Sequence, residues 1–187
     1  MKPKAFIFDF FGVICSDIAG DWFKTHIVHG SLEELEGYLE DADLGNVNET
    51  ETFAKIGTSV GGDGEMIRND WLRSAVIRQD MVRYVLELKK TYKVAVCTNA
   101  PKDFFYTVLK KEGIEDLFNV VVVSSEVGYA KPDVKIFDIT LQKLGTSKEE
   151  TVFFDDRQKN VDSGKMYGLQ AVLFTTPLQI KEYISLT

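Results

Sequence analysis

Five short runs of apolar residues stand out along the chain: KAFIFD at 4–9, KVAVCT at 93–98, NVVVVS at 119–124, TVFFD at 151–155 and QAVLF at 170–174. Each is rich in Val, Ile and Phe and shows little alternation with polar residues. Strands covered on both faces of a parallel sheet read this way. Between most of them the period changes. Residues 80–91 carry Met81, Val82, Val85, Leu86 and Leu88; residues 102–112 carry Phe104, Phe105, Val108 and Leu109. Residues 133–144 place Val134, Phe137, Leu141 and Leu144 at helical spacing. Gly113, Gly145 and Gly168 supply helix stops, the last closing 158–167, and a final helix is expected over 177–186 after Pro177. Strand–helix alternation at these lengths predicts an α/β fold, a Rossmann-like doubly wound parallel sheet of about five strands.

One interval breaks the alternation. Residues 16–79 separate the first strand from the helix that feeds the second. A compact domain does not carry a loop of that length. Helical patterns around 21–28, 31–41, 50–56 and 66–77, punctuated by Gly61-Gly62-Asp63-Gly64, predict a small helical insertion over one sheet edge. The expected division is therefore 1–15 and 80–187 as a Rossmann-like core, with 16–79 as an inserted helical unit.

Composition then narrows the function classes. The 187 residues carry 22 Lys+Arg against 29 Asp+Glu, a formal charge of −7. A chain of this size buries roughly 70% of its unfolded surface, enough for a core without staples. The acidic balance argues against nucleic-acid binding, which needs a basic footprint, and obliges any anionic ligand to find a local cation. Two cysteines, Cys15 and Cys97, make no disulfide framework and suit a reducing cytoplasm. Asp9 interrupts the N-terminal apolar run and no cleavage pattern follows, so no signal peptide is expected. No run approaches a membrane span.

The chemistry is read at the strand ends, since parallel sheets bind ligands outside their carboxyl edge. The first strand ends at Asp9, followed by Phe10-Phe11-Gly12-Val13; the second at Thr98-Asn99; the fourth at Asp155-Asp156. The third leads into Gly128-Tyr129-Ala130-Lys131-Pro132. Three carboxylates, a hydroxyl and a lysine thus converge on one rim. Carboxylates that close repel unless a cation or protons share the site. An all-oxygen donor set suits Mg²⁺. A metal-held carboxylate can attack phosphorus and form an acyl-phosphate, with Lys131 and Thr98 offsetting charge on the transferring group.

At these residues the sequence resembles the haloacid dehalogenase-like hydrolase superfamily, whose four motifs can be placed in order across residues 6–165. The resemblance implies a helical cap at 16–79. It implies Asp9 as nucleophile and metal ligand, the Phe11 carbonyl and Asp156 as further metal ligands, and Asp155 in support. Thr98, the Asn99 backbone and Lys131 would hold the phosphate, with Phe11 and Gly12 in the substrate-binding loop. One position departs from the pattern. Phosphatases of the family usually carry a second Asp two residues after the nucleophile as general acid and base, and here that residue is Phe11. Three readings follow: a phosphatase with a good leaving group or a proton donor borrowed from the cap; a 2-haloacid dehalogenase, whose branch carries an aromatic residue there; or a phosphate-binding module of low turnover. The adjacent acids Asp155-Asp156 favour the first, as a Mg²⁺-dependent phosphatase of a small phosphorylated metabolite, monomeric or homodimeric.

Other residues carry alternatives. Asp17 is a candidate proton donor, and Arg157 a candidate ion-pair partner for the acid pair. Asn160 is read equally as a helix-start residue or a site residue. His26 and His29 have metal-like spacing but no third ligand nearby. Cys15 and Cys97 are read as packing residues, because nothing cationic beside them in sequence lowers their pKa.

Overall fold

The computed structural model describes residues 3–26 and 32–185. The five apolar runs are its five strands: β1 (Ala5–Phe8), β2 (Lys93–Thr98), β3 (Val120–Val123), β4 (Thr151–Asp155) and β5 (Gln170–Leu173). All pairings are parallel, in the order β3-β2-β1-β4-β5. The chain moves outward from β1 through β2 to β3, then returns to the other side of β1 for β4. That reversal makes β1 and β4 the switch point, where a crevice opens at the carboxyl edge.

Side-chain alternation divides the core into two layers. Phe6, Phe8, Val94, Val96, Val152 and Phe154 face one cluster. There they meet Met81, Val85 and Leu88 of α5 (Gln79–Lys89), Phe105 and Val108 of α6 (Lys102–Glu112), and Ile180 of α10 (Leu178–Ser185). Ala5, Ile7, Ala95, Cys97 and Phe153 face the other. Ile136, Phe137 and Leu141 of α8 (Lys135–Leu144) and Val161 of α9 (Gln158–Tyr167) cover them. Both faces are sealed, which is why the strands read as unbroken apolar runs.

Two boundaries differ from the sequence pattern for local reasons. The third run stops at Val123, and Ser124 opens a short helix, α7 (Ser124–Val127). The helix expected from 133 begins at Lys135, because the Asp133 carboxylate accepts the Lys135 N–H and holds a turn there.

Residues 18–26 and 32–74 include α1 (Ile18–His26), α2 (Leu32–Asp43), α3 (Glu49–Val60) and α4 (Gly64–Ser74). Asn48 and Asp63 cap α3 and α4 through side-chain oxygens, as sequence-local caps do. The helix expected over 66–77 ends at Ser74 because the next residues are extended. Ser16 N–H donates to Val76 O, Arg78 N–H to Ile14 O, and Cys15 pairs with Ile77. The insertion leaves and returns through this one paired neck. It meets the core again through an aromatic cluster: Trp71 of α4 lies edge-on to Phe53 of α3 at 5.2 Å and to Phe104 of α6 at 6.1 Å. Among the described residues no helix is long and apolar enough to cross a membrane.

The two faces of α6 give a stability test. Phe105 is fully buried and stands edge-on to Phe10 at 4.9 Å, whereas Tyr106 is exposed with its hydroxyl on Glu126. Urea denaturation of Phe105→Ala is expected to show a loss of about 3–5 kcal/mol. Tyr106→Phe is expected to lose no more than about 1 kcal/mol.

Candidate active site

Strand register brings the acids together. Phe8 pairs with Phe154, and the next residue of β1, Asp9, donates its N–H to Phe154 O at 2.9 Å. Asp9 therefore emerges beside Asp155, the last residue of β4. Asp9, Asp155 and Asp156 each place a carboxylate oxygen within 4.8 Å of the others. Asp9 and Asp155 are buried and Asp156 is half-buried.

Lys131 holds this group of charges. Its side chain is wholly buried, with Nζ 2.8 Å from Asp9 Oδ1 and 2.7 Å from Asp155 Oδ2. Burial alone would lower the lysine's pKa, but the two carboxylates outweigh it and raise it above the ordinary value. The loop carrying Lys131 is clamped in turn. Asn99 Nδ2 donates to Lys131 O and Asn99 Oδ1 accepts the Lys131 N–H, both at 2.8 Å. The Lys131–Pro132 peptide is cis. The Asn99 side chain is thus spent on the loop that presents the lysine.

The two adjacent acids of β4 have different surroundings. Asp155 is saturated: it accepts from Lys131, from the Arg157 N–H at 2.9 Å and from Asn160 Nδ2 at 3.0 and 3.1 Å. That places Asn160, buried at the start of α9, among the site residues. Asp156 is not saturated, and its Oδ1 is buried without a partner. Gly12 makes room for it. A Cβ on Gly12 would lie 2.2 Å from Asp156 Oδ2, and the backbone there sits at φ +91°, so only glycine fits. The Gly12 N–H is itself donated to Cys15 O, so this residue contributes space rather than a hydrogen bond.

The electrostatics are those of crowded acids. Burial pushes the Asp9 carboxyl up to about 7; Lys131 opposes this, and Asp155 and Asp156 add to it. Burial, then Asp155, raises Asp156 as well. Thr98 Oγ1 at the end of β2 is a second buried oxygen with no partner. An acid cluster short of positive charge, with a free carboxylate oxygen and a free hydroxyl at the same rim, is a donor set that fits a small divalent cation beside an oxyanion.

A cavity of about 490 Å³ opens over this rim, between the core and the insertion. Core residues Phe11, Asn99, Phe104, Lys131 and Arg157 form one wall. Ile18, Phe23, Leu39, Asp43 and Trp71 form the facing wall. The Phe11 ring is half-buried and packs edge-on to Phe10 at 4.9 Å and near Phe104 at 6.1 Å. Asp17 lines the cavity, but its Oδ1 accepts the Gly20 N–H at the start of α1. Arg157 forms no ion pair within 4 Å among the described residues; it stands exposed at the cavity edge, near the fields of Asp17, Asp9 and Asp156. His26 stacks on Trp22 at 4.4 Å, away from the acids, and His29 lies outside the described residues. Cys15 and Cys97 are buried free thiols, both pushed up to about 11 by burial. Asp43 carried no motif; only the fold brings it to the cavity.

Comparison with known proteins follows the same lines. Residues 66–174 match the haloacid dehalogenase-like hydrolase family. A sesquiterpene phosphatase of Aspergillus oryzae is 27% identical over 184 residues, 94% of this chain and 91% of its own. An HAD family enzyme of Bacteroides thetaiotaomicron, solved with magnesium and inorganic phosphate, superposes with a TM-score of 0.74 at 22% identity, covering 92% of this chain and 94% of its own. The L-2-haloacid dehalogenase of Xanthobacter autotrophicus, solved with chloropropionic acid covalently bound, superposes at 0.70 with 17% identity, covering 98% and 83%. These two likenesses establish the shared fold.

Replacing Lys131 by Met would leave Asp9 and Asp155 buried without their shared cation. Breaking a buried ion pair from one side costs about 3–5 kcal/mol, and urea denaturation of Lys131→Met at neutral pH is expected to show a loss of that size.

Proposed function

This chain belongs to the haloacid dehalogenase-like hydrolase family, and from that premise we propose that it is a Mg²⁺-dependent phosphatase acting on the phosphomonoester of a small, largely apolar molecule. The observation that carries the reading is the set of three convergent carboxylates beside two unpartnered buried oxygens, Asp156 Oδ1 and Thr98 Oγ1. The sesquiterpene phosphatase relative supports the same chemistry.

In this reading Asp9 is the nucleophile. Its backbone is fixed by the β4 ladder, and its Oδ1 is steered by the Phe10 N–H at 2.7 Å and by Lys131. Asp9 attacks phosphorus, the bond to the leaving oxygen breaks, and water later hydrolyses the aspartyl-phosphate. Thr98 Oγ–H donates to a phosphoryl oxygen. Lys131 opposes the burial that favours protonation of Asp9 and would offset the phosphoryl charge. Mg²⁺, held by Asp9, the Phe11 carbonyl and Asp156, would supply Lewis-acid screening between two anions. The insertion at 16–79 would act as the cap that excludes water and selects substrate.

The cavity walls support a reading of the rest of the substrate. Phe11, Ile18, Phe23, Leu39, Trp71 and Phe104 offer aromatic and aliphatic surface, while the carboxylates of Asp17, Glu36, Glu40, Asp43 and Asp133 outnumber the cations Arg157 and Lys159 around it. Such walls suit an apolar organic group and repel any second anionic group. The aromatic residue at position 11 also fits the dehalogenase reading, but the crowding of Asp155 and Asp156 disfavours a site that works without a cation.

Hydrolysis of an aryl phosphate is expected to require Mg²⁺ and to stop with EDTA and in Asp9→Asn. Metal-independent turnover, or halide release from a 2-haloacid without metal, would overturn this reading. Between substrates, kcat/KM is expected to favour an alkyl or aryl monophosphate over a sugar phosphate or any ester with a second anionic group.

A further inference from the structure

The site contains one chemical deficit. Phosphoryl transfer to a poor leaving group needs a proton at the departing oxygen, and Phe11, whose ring is packed between Phe10 and Phe104, has none to give. Among the other acids that line the cavity, Asp17 accepts the Gly20 N–H, Asp133 accepts the Lys135 N–H, and Glu36 and Glu40 are exposed to solvent. Asp43, the last residue of α2, is different. It is half-buried, lines the same cavity as Lys131 and Asn99, and forms no hydrogen bond or ion pair among the described residues.

Its position is fixed by the fold. Two residues on, Gly45 turns the chain at φ +76° and comes so close to α7 that a Cβ there would lie 2.6 Å from Ser125 O. Ser125 is tied to the core: its Oγ donates to Ala100 O and accepts the Lys102 N–H, immediately after Asn99. The end of α2 is therefore pinned against the same loop that closes β2, so Asp43 is held over the rim.

We propose that Asp43 is the proton carrier of the reaction, a further catalytic residue supplied by the helical insertion in place of the acid that Phe11 excludes. This rests on the phosphatase reading above. In the first step the Asp9 oxygen bonds to phosphorus and the bond from phosphorus to the leaving oxygen breaks. That oxygen takes the electron pair and the proton of the Asp43 carboxyl, leaving Asp43 ionised. In the second step water adds to phosphorus, the bond to Asp9 breaks, and Asp43 takes the water's proton. Both residues are restored and the sum is ester plus water to alcohol plus phosphate. The surroundings suit a group that must hold and release a proton. Burial pushes the Asp43 carboxyl up to about 7; Arg157 and, less, Lys131 oppose this, while Asp9 and Glu40 add to it.

The test is leaving-group dependence in the full chain with saturating Mg²⁺. Asp43→Asn is expected to lose about 10²-fold or more in kcat/KM, which reports the steps through departure of the leaving oxygen, on phenyl phosphate and a primary alkyl phosphate. On 2,4-dinitrophenyl phosphate, whose leaving group needs no proton, it is expected to stay within about threefold, since only the proton-transfer contribution is removed. Asp43→Ser should reproduce the pattern and Asp43→Glu should restore part of the loss. An equal loss in kcat/KM on all three substrates, or no loss on any, overturns the role of Asp43 and leaves the phosphatase reading standing. Absence of turnover by the unmodified chain on all three, or full activity in Asp9→Asn, overturns the phosphatase reading and this proposal with it.

Discussion

The architecture of the rim depends on one buried ion triad, the Lys131 ammonium between Asp9 and Asp155. Parallel pairing of β1 with β4 forces the two carboxylates side by side. Two like charges excluded from water would otherwise drive one of them to take up a proton. The lysine opposes that uptake at Asp9, whose carboxyl burial still pushes up to about 7. Because the lysine arrives from a loop on the far side of β2, its reach must be fixed, and the reciprocal Asn99 hydrogen bonds do this. Motif residues distant in sequence form one mechanical unit: Asn99 sets the loop, the loop sets Lys131, and Lys131 bridges the two acids.

The unit is incomplete in a specific way. One lysine faces three carboxylates, and Asp156 is left with an unpartnered oxygen next to a glycine that exists to admit it. A structure whose aim was stability alone would not leave that oxygen buried and unpaired, since the penalty is of order 1–3 kcal/mol. Of the three orphaned oxygens at this rim, the third being Asn160 Oδ1, the proposed Mg²⁺ and phosphoryl group account for two, Asp156 Oδ1 and Thr98 Oγ1. Their shared position at the β1/β4 reversal places them where an open α/β sheet has its crevice.

The strands themselves and the acids at their ends were legible because both are local signals. Val- and Phe-rich runs define strands covered on two faces, and a carboxylate at such a strand's end has nowhere to go but the rim. Asn160 could not be assigned from sequence. A helix-start asparagine and an asparagine bonded to Asp155 look alike until β4 and α9 are docked. Arg157 was read as partner to the acids beside it, yet backbone direction turns its side chain to the cavity edge and gives its N–H, not its guanidinium, to Asp155. The helix ends at 74 rather than 77 because an extended neck must pair with residues 14–16, a contact across about 60 residues that no window of periodicity contains. Asp43 is the extreme case: in sequence it is one acid in an acidic helix, and its distinction is conferred entirely by Gly45 meeting Ser125.

That last contact bears on how the insertion and the core divide the chemistry. In the proposed mechanism the nucleophile, its lysine and the metal donors all sit on the core, at the strand ends of the carboxyl edge and on the loops that follow them. The proton carrier sits on the insertion, joined to the core by a paired neck, the Trp71–Phe104 contact and the Gly45–Ser125 approach. Placing an aromatic ring at position 11 then has a physical rationale. It removes a polar group from the cavity floor and extends the apolar wall formed by Phe23, Leu39 and Trp71. An apolar substrate gains from that surface, whereas a carboxylate at position 11 would have to be desolvated against it. Moving the acid across the cavity preserves proton transfer while leaving the floor apolar, and it makes catalysis depend on the insertion being seated over the bound ester.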